Sequence, residues 1–271
     1  MACHAKHSTL AHLLLMTTRE TVRSRLKNGQ PAIGTWLNSG SAAIGELMAQ
    51  TGMDFITVDA EHSAVDLVET QKIFQAIRSG NPNTETFVRL HGVDYSLTKR
   101  YLDSGATGII GPLVNTAEQA QLLVEACKYP PLGKRGVGFC RANQYGLKVE
   151  EHFRTANDEI LLAVQIEDIE AVANIDEILS VEGIDAAFIG PYDLSASMGL
   201  TAQFEHPEFI TARERILASC AKNNVIPGIH IVEPDPEEAK ERIKSGFNLL
   251  AYSLDITMIQ KACLHGLSRI R

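Results

Sequence analysis

No stretch of this chain approaches the ~20 consecutive apolar residues of a membrane-spanning helix. The best candidate, LAHLLLM at 10–16, is far too short. Positive charge is also scarce: 25 Lys and Arg stand against 33 Asp and Glu, a formal net charge of −8. That balance argues against a nucleic-acid binder, because phosphate contacts need a basic face. Cysteine is thinly spread. Cys3, Cys127, Cys140, Cys220 and Cys263 form no CxxC pair, and an odd count at wide spacing reads as an intracellular, cytoplasmic chain with free thiols. No glycine-rich nucleotide fingerprint comes after the first strand-like run. The one glycine cluster, GKRGVG at 133–138, comes after a helix and a Pro-Pro turn and is set aside. Acidic residues are missing from the first 19 positions, which carry Lys6, Arg19 and three histidines. A disordered extension is the preferred reading of residues 1–18, with a mitochondrial leader as the alternative. Residues 19–271 are then read as one domain.

What is present is ordinary globular material, 45% hydrophobic and 21% charged over 271 residues, with ample length for a large core. Apolar runs and amphipathic segments alternate. Strands are expected at 31–37, 55–60, 86–92, 107–114, 159–167, 186–194, 226–232 and 248–254. Helices are expected between them, at 42–52, 66–80, 96–105, 116–129, 170–183, 207–223 and 235–246, with a last one at 258–270. Several stop at a glycine (Gly52, Gly80, Gly105, Gly183, Gly246), as a left-handed cap requires. Near-continuous apolar strands are buried on both faces, which marks a parallel sheet. Eight such units make the α/β class and a (β/α)8 TIM barrel the leading fold. An open doubly wound sheet is the runner-up.

In a barrel, the strand C-termini build the site. The second strand runs into Asp59, Glu61 and His62, and the third ends at Arg89 beside His91, which is read as structural. The fifth carries Gln165 and Glu167, the sixth ends in IGPYDLS with Asp193, and the seventh carries His230. Trp36 and Asn38, Pro112, and Ser253 with Asp255 mark the milder ends of the first, fourth and eighth strands. Taken singly, each charged residue reads as a helix cap or an ion-pair partner. Their convergence on one face reads as a site. Glu167 and Asp193, on adjacent strands, suit a hard divalent cation such as Mg²⁺ or Mn²⁺ better than Zn²⁺. No lysine ends a strand, so imine chemistry lacks its nucleophile, with only Lys134 and Lys148 in the long segment 130–158 left open. Part of that segment is expected to reach the pocket.

Five ordered stretches, VDAEH (58–62), VRLHG (88–92), YPPLGKRGVG (129–138), VQIED (164–168) and IGPYDLSASMG (189–199), make the chain resemble the HpcH/HpaI aldolases from about Leu26 to its end. The resemblance implies a metal-dependent class II pyruvate aldolase. Such an enzyme cleaves 4-hydroxy-2-oxo acids to pyruvate and an aldehyde through a metal-bound enolate, with addition as the reverse. It implies a barrel assembled as a hexamer or trimer of dimers, with the last helix exchanged between subunits. By the same resemblance Glu167 and Asp193 hold Mg²⁺, Mn²⁺ or Co²⁺, Arg89 sits by the keto oxygen, and Gln165 positions the ligands. Backbone N–H groups of the turn Gly190, Pro191, Tyr192 and Asp193 take the pyruvate carboxylate. His62, supported by Asp59, is the acid/base, and Asp103 faces the histidine of a neighbouring subunit. Trp36 and His230 are further substrate-binding candidates. His230 replaces an apolar wall residue of some relatives and reads equally as a contact to the aldehyde half or as a structural histidine. Ala60 replaces the glycine of the usual DGEH. GFCRANQYG (138–146) keeps Arg141 but places Phe139 and Cys140 before it. An oxaloacetate decarboxylase, a macrophomate-synthase-like carbon–carbon-forming enzyme and a non-catalytic barrel are the competing readings.

Overall fold

Side chains alternate faces along a strand, and in this chain both faces of every strand find apolar partners. A computed structural model describes residues 20–271; the reading of residues 1–18 lies outside them. The strands are β1 (Ala32–Leu37), β2 (Phe55–Asp59), β3 (Glu85–Arg89), β4 (Gly108–Gly111), β5 (Leu161–Ile166), β6 (Ala186–Ile189), β7 (Ile226–Ile231) and β8 (Leu249–Leu254). They pair in parallel, in chain order, and β8 closes on β1. The expected (β/α)8 barrel is therefore the fold, and the open sheet is not.

One parity of each strand packs outward on the helices: Ile56 and Val58, Val88, Ile109, Leu162 and Val164 join Ile73, Phe74, Ile77, Leu123 and Ile216 in the outer core. The other parity fills the barrel: Ala32, Trp36, Phe55, Phe87, Ile110, Leu161, Phe188 and Leu249 form an inner core. A short helix, Val22–Lys27, plugs the end where strands begin, with Val22 and Leu26 joining that inner core. Val22 N–H also donates to buried Glu85 (3.0 Å).

Some elements depart from the sequence reading. The sixth strand stops at Ile189, and Asp193 lies in a helix, Pro191–Ser197, not at a strand end. Pro191 at the first helical position, with φ already set for a helix, explains the change. The helix expected at 170–183 breaks at Asn174 into Ile169–Ala173 and Ile175–Leu179. Gly52, Gly105, Gly183 and Gly246 do adopt positive φ. Gly80 does not: it ends the helix Leu67–Gly80, and a Cβ there would strike Glu46 O of the neighbouring helix. It is small for close packing rather than for a cap.

The segment 130–158 contains a 3₁₀ turn, Arg141–Gly146, and most of a helix, Val149–Glu159. It joins a helix C-terminus to the start of β5, so it lies at the barrel's N-terminal end. Within the chain it does not reach the strand C-termini, contrary to expectation. The last helix, Asp255–Ile270, packs chiefly on β1 and β8 and buries only Asp255. Ile256, Ile259, Leu264, Leu267 and Ile270 stay exposed on it.

Candidate active site

The inward parity that places Phe55 and Phe87 inside the barrel also governs the residues at the strand C-termini. Asp59 and Arg89 continue those rows, and Trp36, Gln165 and His230 continue theirs. At that end the inner layer thus changes from apolar to polar. A small cleft of about 50 Å³ opens there between Trp36, Arg89, Gln165, Phe188, Gly190, Asp193 and His230.

Asp59 is completely buried and is the hub of one side. Its Oδ1 accepts from Arg89 Nε (2.9 Å) and its Oδ2 from Arg89 Nη2 (2.7 Å). Asn38 Nδ2 donates to Oδ2 at 2.6 Å. The backbone N–H groups of Glu61 (3.1 Å) and His62 (3.3 Å) donate to Oδ1. Burial alone would raise this carboxyl, but Arg89's hydrogen bonds and charge, with the two backbone donors, hold it below the usual carboxylate range. Its role is to aim Arg89 and shape the 60–62 turn. Among the described residues its hydrogen bonds go to Arg89, Asn38 and the backbone N–H groups of Glu61 and His62, and none joins it to the His62 ring. The His62 side chain is 62% exposed, and its Nε2 lies 3.9 Å from Glu61 Oε2.

Arg89 is held on three sides. Besides Asp59, its Nη1 lies 3.2 Å from Glu61 Oε2, and its guanidinium sits 4.3 Å from the centre of the Trp36 ring. Trp36 in turn lies 5.2 Å from the His230 ring. His230 Nε2 contacts Ser253 O at 3.3 Å, at a point where β8 bulges against β1 and Ser253 adopts φ 54°. Burial, reinforced by Arg89's charge, depresses the His230 ring to about 4. It is therefore neutral at neutral pH, with Nε2–H donating to Ser253.

The opposite wall carries the carboxylates. Glu167 comes just after β5 and is nearly buried; its Oε1 accepts from Leu113 N–H (2.7 Å) and its Oε2 from Gln165 Nε2. Leu113 is itself at φ 51°, a conformation costing roughly 1–2 kcal/mol that turns its N–H toward Glu167. Burial raises the Glu167 carboxyl to about 7. Leu113 and Gln165 oppose that rise, while the negative fields of Glu61 and Asp193 add to it. Glu61 is raised too, by burial first, against the pull of Arg89 and His62. A Cβ at Gly190 would stand 2.9 Å from Glu167 Oε2 and 3.1 Å from Gln165 Nε2, so the missing side chain keeps this wall open. The turn donates less than expected. Gly190 N–H is spent on Ile166 O (3.2 Å) and Pro191 has none, leaving Tyr192 and Asp193 as the second and third helical residues, whose N–H groups have no partner among the described residues.

These residues fit a divalent cation. Glu167, whose carboxyl the negative charges of Glu61 and Asp193 help to raise after burial, stands beside a Gln165 Oε1 that is buried without a partner, and positive charge between the carboxylates would stabilise them. Among the described residues no group of three or more His, Cys, Asp or Glu could hold a metal alone. Two protein oxygens would thus leave positions for substrate.

A family model, HpcH/HpaI aldolase/citrate lyase, matches residues 32–262. The chain belongs to that family. A 4-hydroxy-2-oxo-heptane-1,7-dioate aldolase of Shigella boydii is 36% identical over 242 residues, covering 89% of this chain and 90% of its own. A hydroxypyruvate/pyruvate aldolase of Sagittula stellata is 40% identical, covering 89% and 94%. The crystal structure of an HpcH/HpaI aldolase from Desulfitobacterium hafniense superposes with a TM-score of 0.86 at 32% identity, over 93% of this chain and 96% of the other. This HpcH/HpaI member is a carbon–carbon lyase of the aldolase type.

The cleft is lined by Trp36, Arg89, Gln165, Gly190, Asp193 and His230, with Asp59 buried behind Arg89 and Glu167 hydrogen-bonded to Gln165; His62 lies next to Glu61, exposed. Asp103 is not among them. It ends the helix Tyr95–Asp103 at the barrel's other end and pairs with Arg135 Nη2 at 2.7 Å. Glu61 and Asn38 carry more of the site than sequence reasoning assigned to them. Glu61 was visible within VDAEH, but no pattern in the sequence points it at Arg89.

Proposed function

We propose that the protein is a divalent-cation-dependent aldolase that cleaves 4-hydroxy-2-oxo acids into pyruvate and an aldehyde, and catalyses the reverse addition. The observation that carries this reading is the set of facing charges: Glu167 and Asp193 on one wall, Arg89 clamped on the other. A cation held by Glu167 and Asp193 would supply positive charge to a 2-oxo acid and its enolate. Arg89, immobilised by Asp59 and Trp36, offers its guanidinium to the oxo oxygen, where charge develops when the carbon–carbon bond breaks. The N–H groups of Tyr192 and Asp193 donate to the substrate carboxylate. Gln165 orients Glu167. Trp36 and neutral His230 wall the side on which the aldehyde half leaves.

His62 takes the proton from the 4-hydroxyl during cleavage and returns it during addition. Its exposure in one chain leaves it open to a neighbouring copy, whose Asp103 would hold the ring. The exposed apolar face of the last helix supports such an assembly, a hexamer or trimer of dimers with that helix exchanged.

The test needs no knowledge of the aldehyde. Pyruvate in D₂O should lose its methyl proton signal with Mg²⁺, Mn²⁺ or Co²⁺ and retain it with EDTA. Glu167→Ala and Asp193→Ala should each slow the exchange about a hundredfold or more. Absence of metal-dependent exchange would sink the pyruvate-enolate reading and favour a barrel that first requires oxaloacetate.

A further inference from the structure

Strand β8 carries one extra residue where it runs along β1. Gly34 is level with Ala251, yet Trp36 is level with Leu254 and not with Ser253. Ser253 takes up the extra residue at φ 54°, a conformation L-residues avoid. A bulge of this kind re-aims the chain that comes after it. Here it brings Asp255, the first residue of the last helix, up to the turn that leaves β1.

Asp255 is 1% exposed. Among the described residues its partners are three backbone N–H groups and no cation. Its Oδ1 accepts from Asn38 (2.9 Å) and from Ile256 (2.9 Å), and its Oδ2 from Ser39 (3.1 Å). Burying a carboxylate is costly unless it is hydrogen-bonded, and the positive end of a 16-residue helix adds to its hold. Two successive N–H groups tied to one carboxylate fix the turn, and with it the direction of the Asn38 side chain.

That side chain reaches the support of the cleft. Asn38 Nδ2 donates to Asp59 Oδ2 at 2.6 Å, and the same oxygen accepts from Arg89 Nη2 at 2.7 Å. The contacts therefore run unbroken from Asp255 through Asn38 and Asp59 to Arg89. A bidentate pair needs the carboxylate and the guanidinium in one plane. With Asn38 present, Asp59 Oδ2 is anchored from a second side and that plane is set by the turn. Without it, the carboxylate is free to turn with the guanidinium.

We propose that Asn38 and Asp255 are positioning residues for Arg89. The buried start of the last helix sets the turn after β1, and the turn sets the carboxylate that aims the guanidinium. The kinetic consequence rests on the aldolase reading of Arg89; the tie between the residues does not.

The test has two readouts. In metal-dependent pyruvate exchange, Asn38→Ala should lower kcat about tenfold and leave the KM for pyruvate within about twofold, because stabilisation of the developing charge is what is lost. Asp255→Asn should do the same. The double variant should be no slower than the slower single one, since both act through one chain of contacts. Urea midpoints show whether Asp255→Asn folds; half-buried Asn38 carries the test if it does not.

The second readout needs no turnover. Trp36 is the one tryptophan of the chain, and the Arg89 guanidinium lies 4.3 Å from its ring centre, so its fluorescence reports the aim of Arg89. Asn38→Ala should shift that emission in the parent and leave it unmoved in an Arg89→Gln background. A raised KM at unchanged kcat would overturn the proposal, by placing Asn38 on the substrate. So would parent-like emission in Asn38→Ala, or a shift that persists with Arg89→Gln, which would place Asn38 against Trp36 directly. If the parent shows no exchange, the pyruvate reading fails and the emission alone decides for or against the tie.

Discussion

Glu167 is the residue whose environment works hardest against it. It is 4% exposed and faces Glu61 and Asp193, and its carboxyl is raised from 4.5 to about 7. Between these values the folded chain holds a proton that the unfolded chain has lost, so stability falls as pH rises from 4.5 to about 7. A shift of that size corresponds to about 3 kcal/mol. In EDTA, Glu167→Gln should therefore be more stable than the parent at pH 8, by up to about 3 kcal/mol, and close to it at pH 5; urea midpoints at the two pH values measure this. A cation competes with that proton, so apparent Mg²⁺ affinity should strengthen as pH rises toward about 7 and then level off. The same substitution should abolish the metal effect. Asp59, five times hydrogen-bonded, shows the opposite solution: a buried carboxylate made inexpensive by donors arranged around it.

At the level of strands, the barrel interior is fitted by pairing large against absent side chains. Phe55 and Phe87 stack with ring centroids 4.6 Å apart. A Cβ on Gly34 would collide with Phe55, and one on Gly108 with the Phe87 ring. Gly108→Ala should lower stability by about 1–3 kcal/mol, the usual cost of overpacking a dense core. In a Phe87→Leu background the same change should cost less, and the double-mutant cycle should show that coupling in chemical denaturation. Since Arg89 stands two residues beyond Phe87 on the same inward row, the packing at one end of β3 fixes the aim of the guanidinium at the other.

Among the described residues, the last helix leaves an apolar surface uncovered within a single chain. The helix Asp255–Ile270 turns Ile256, Ile259, Leu264, Leu267 and Ile270 outward, and such a contiguous apolar face marks an interaction surface. The proposed assembly predicts a native mass several times that of one chain by light scattering. Leu264→Asp with Leu267→Asp should shift it to smaller species and slow aldol turnover, because His62 would lose the neighbouring Asp103. An unchanged mass in that variant would remove the helix from the interface.

Local sequence determined the elements and their order. The apolar runs of β2, β3 and β5, and the glycines that end helices, specify each strand and turn from neighbours a few residues away, and alternation of strand and helix leaves the closed parallel barrel as the natural solution. The end of the barrel carrying Arg89, Gln165 and Glu167 is set by that order, since all strands point the same way. Asp193 in a helix and the segment 130–158 at the far end were missed by the sequence reading, although Pro191 and the helix-to-strand direction of that connection carried the signal. Tertiary structure alone decided the partners. Asp59 chose Arg89, 30 residues away, over the adjacent His62 ring. Glu167 gained Leu113 N–H across 54 residues, and His230 came to lie against Trp36. Those choices depend on register and closure, which bring distant side chains within about 3 Å, and no local pattern in the chain records which of several equally suitable groups will arrive first.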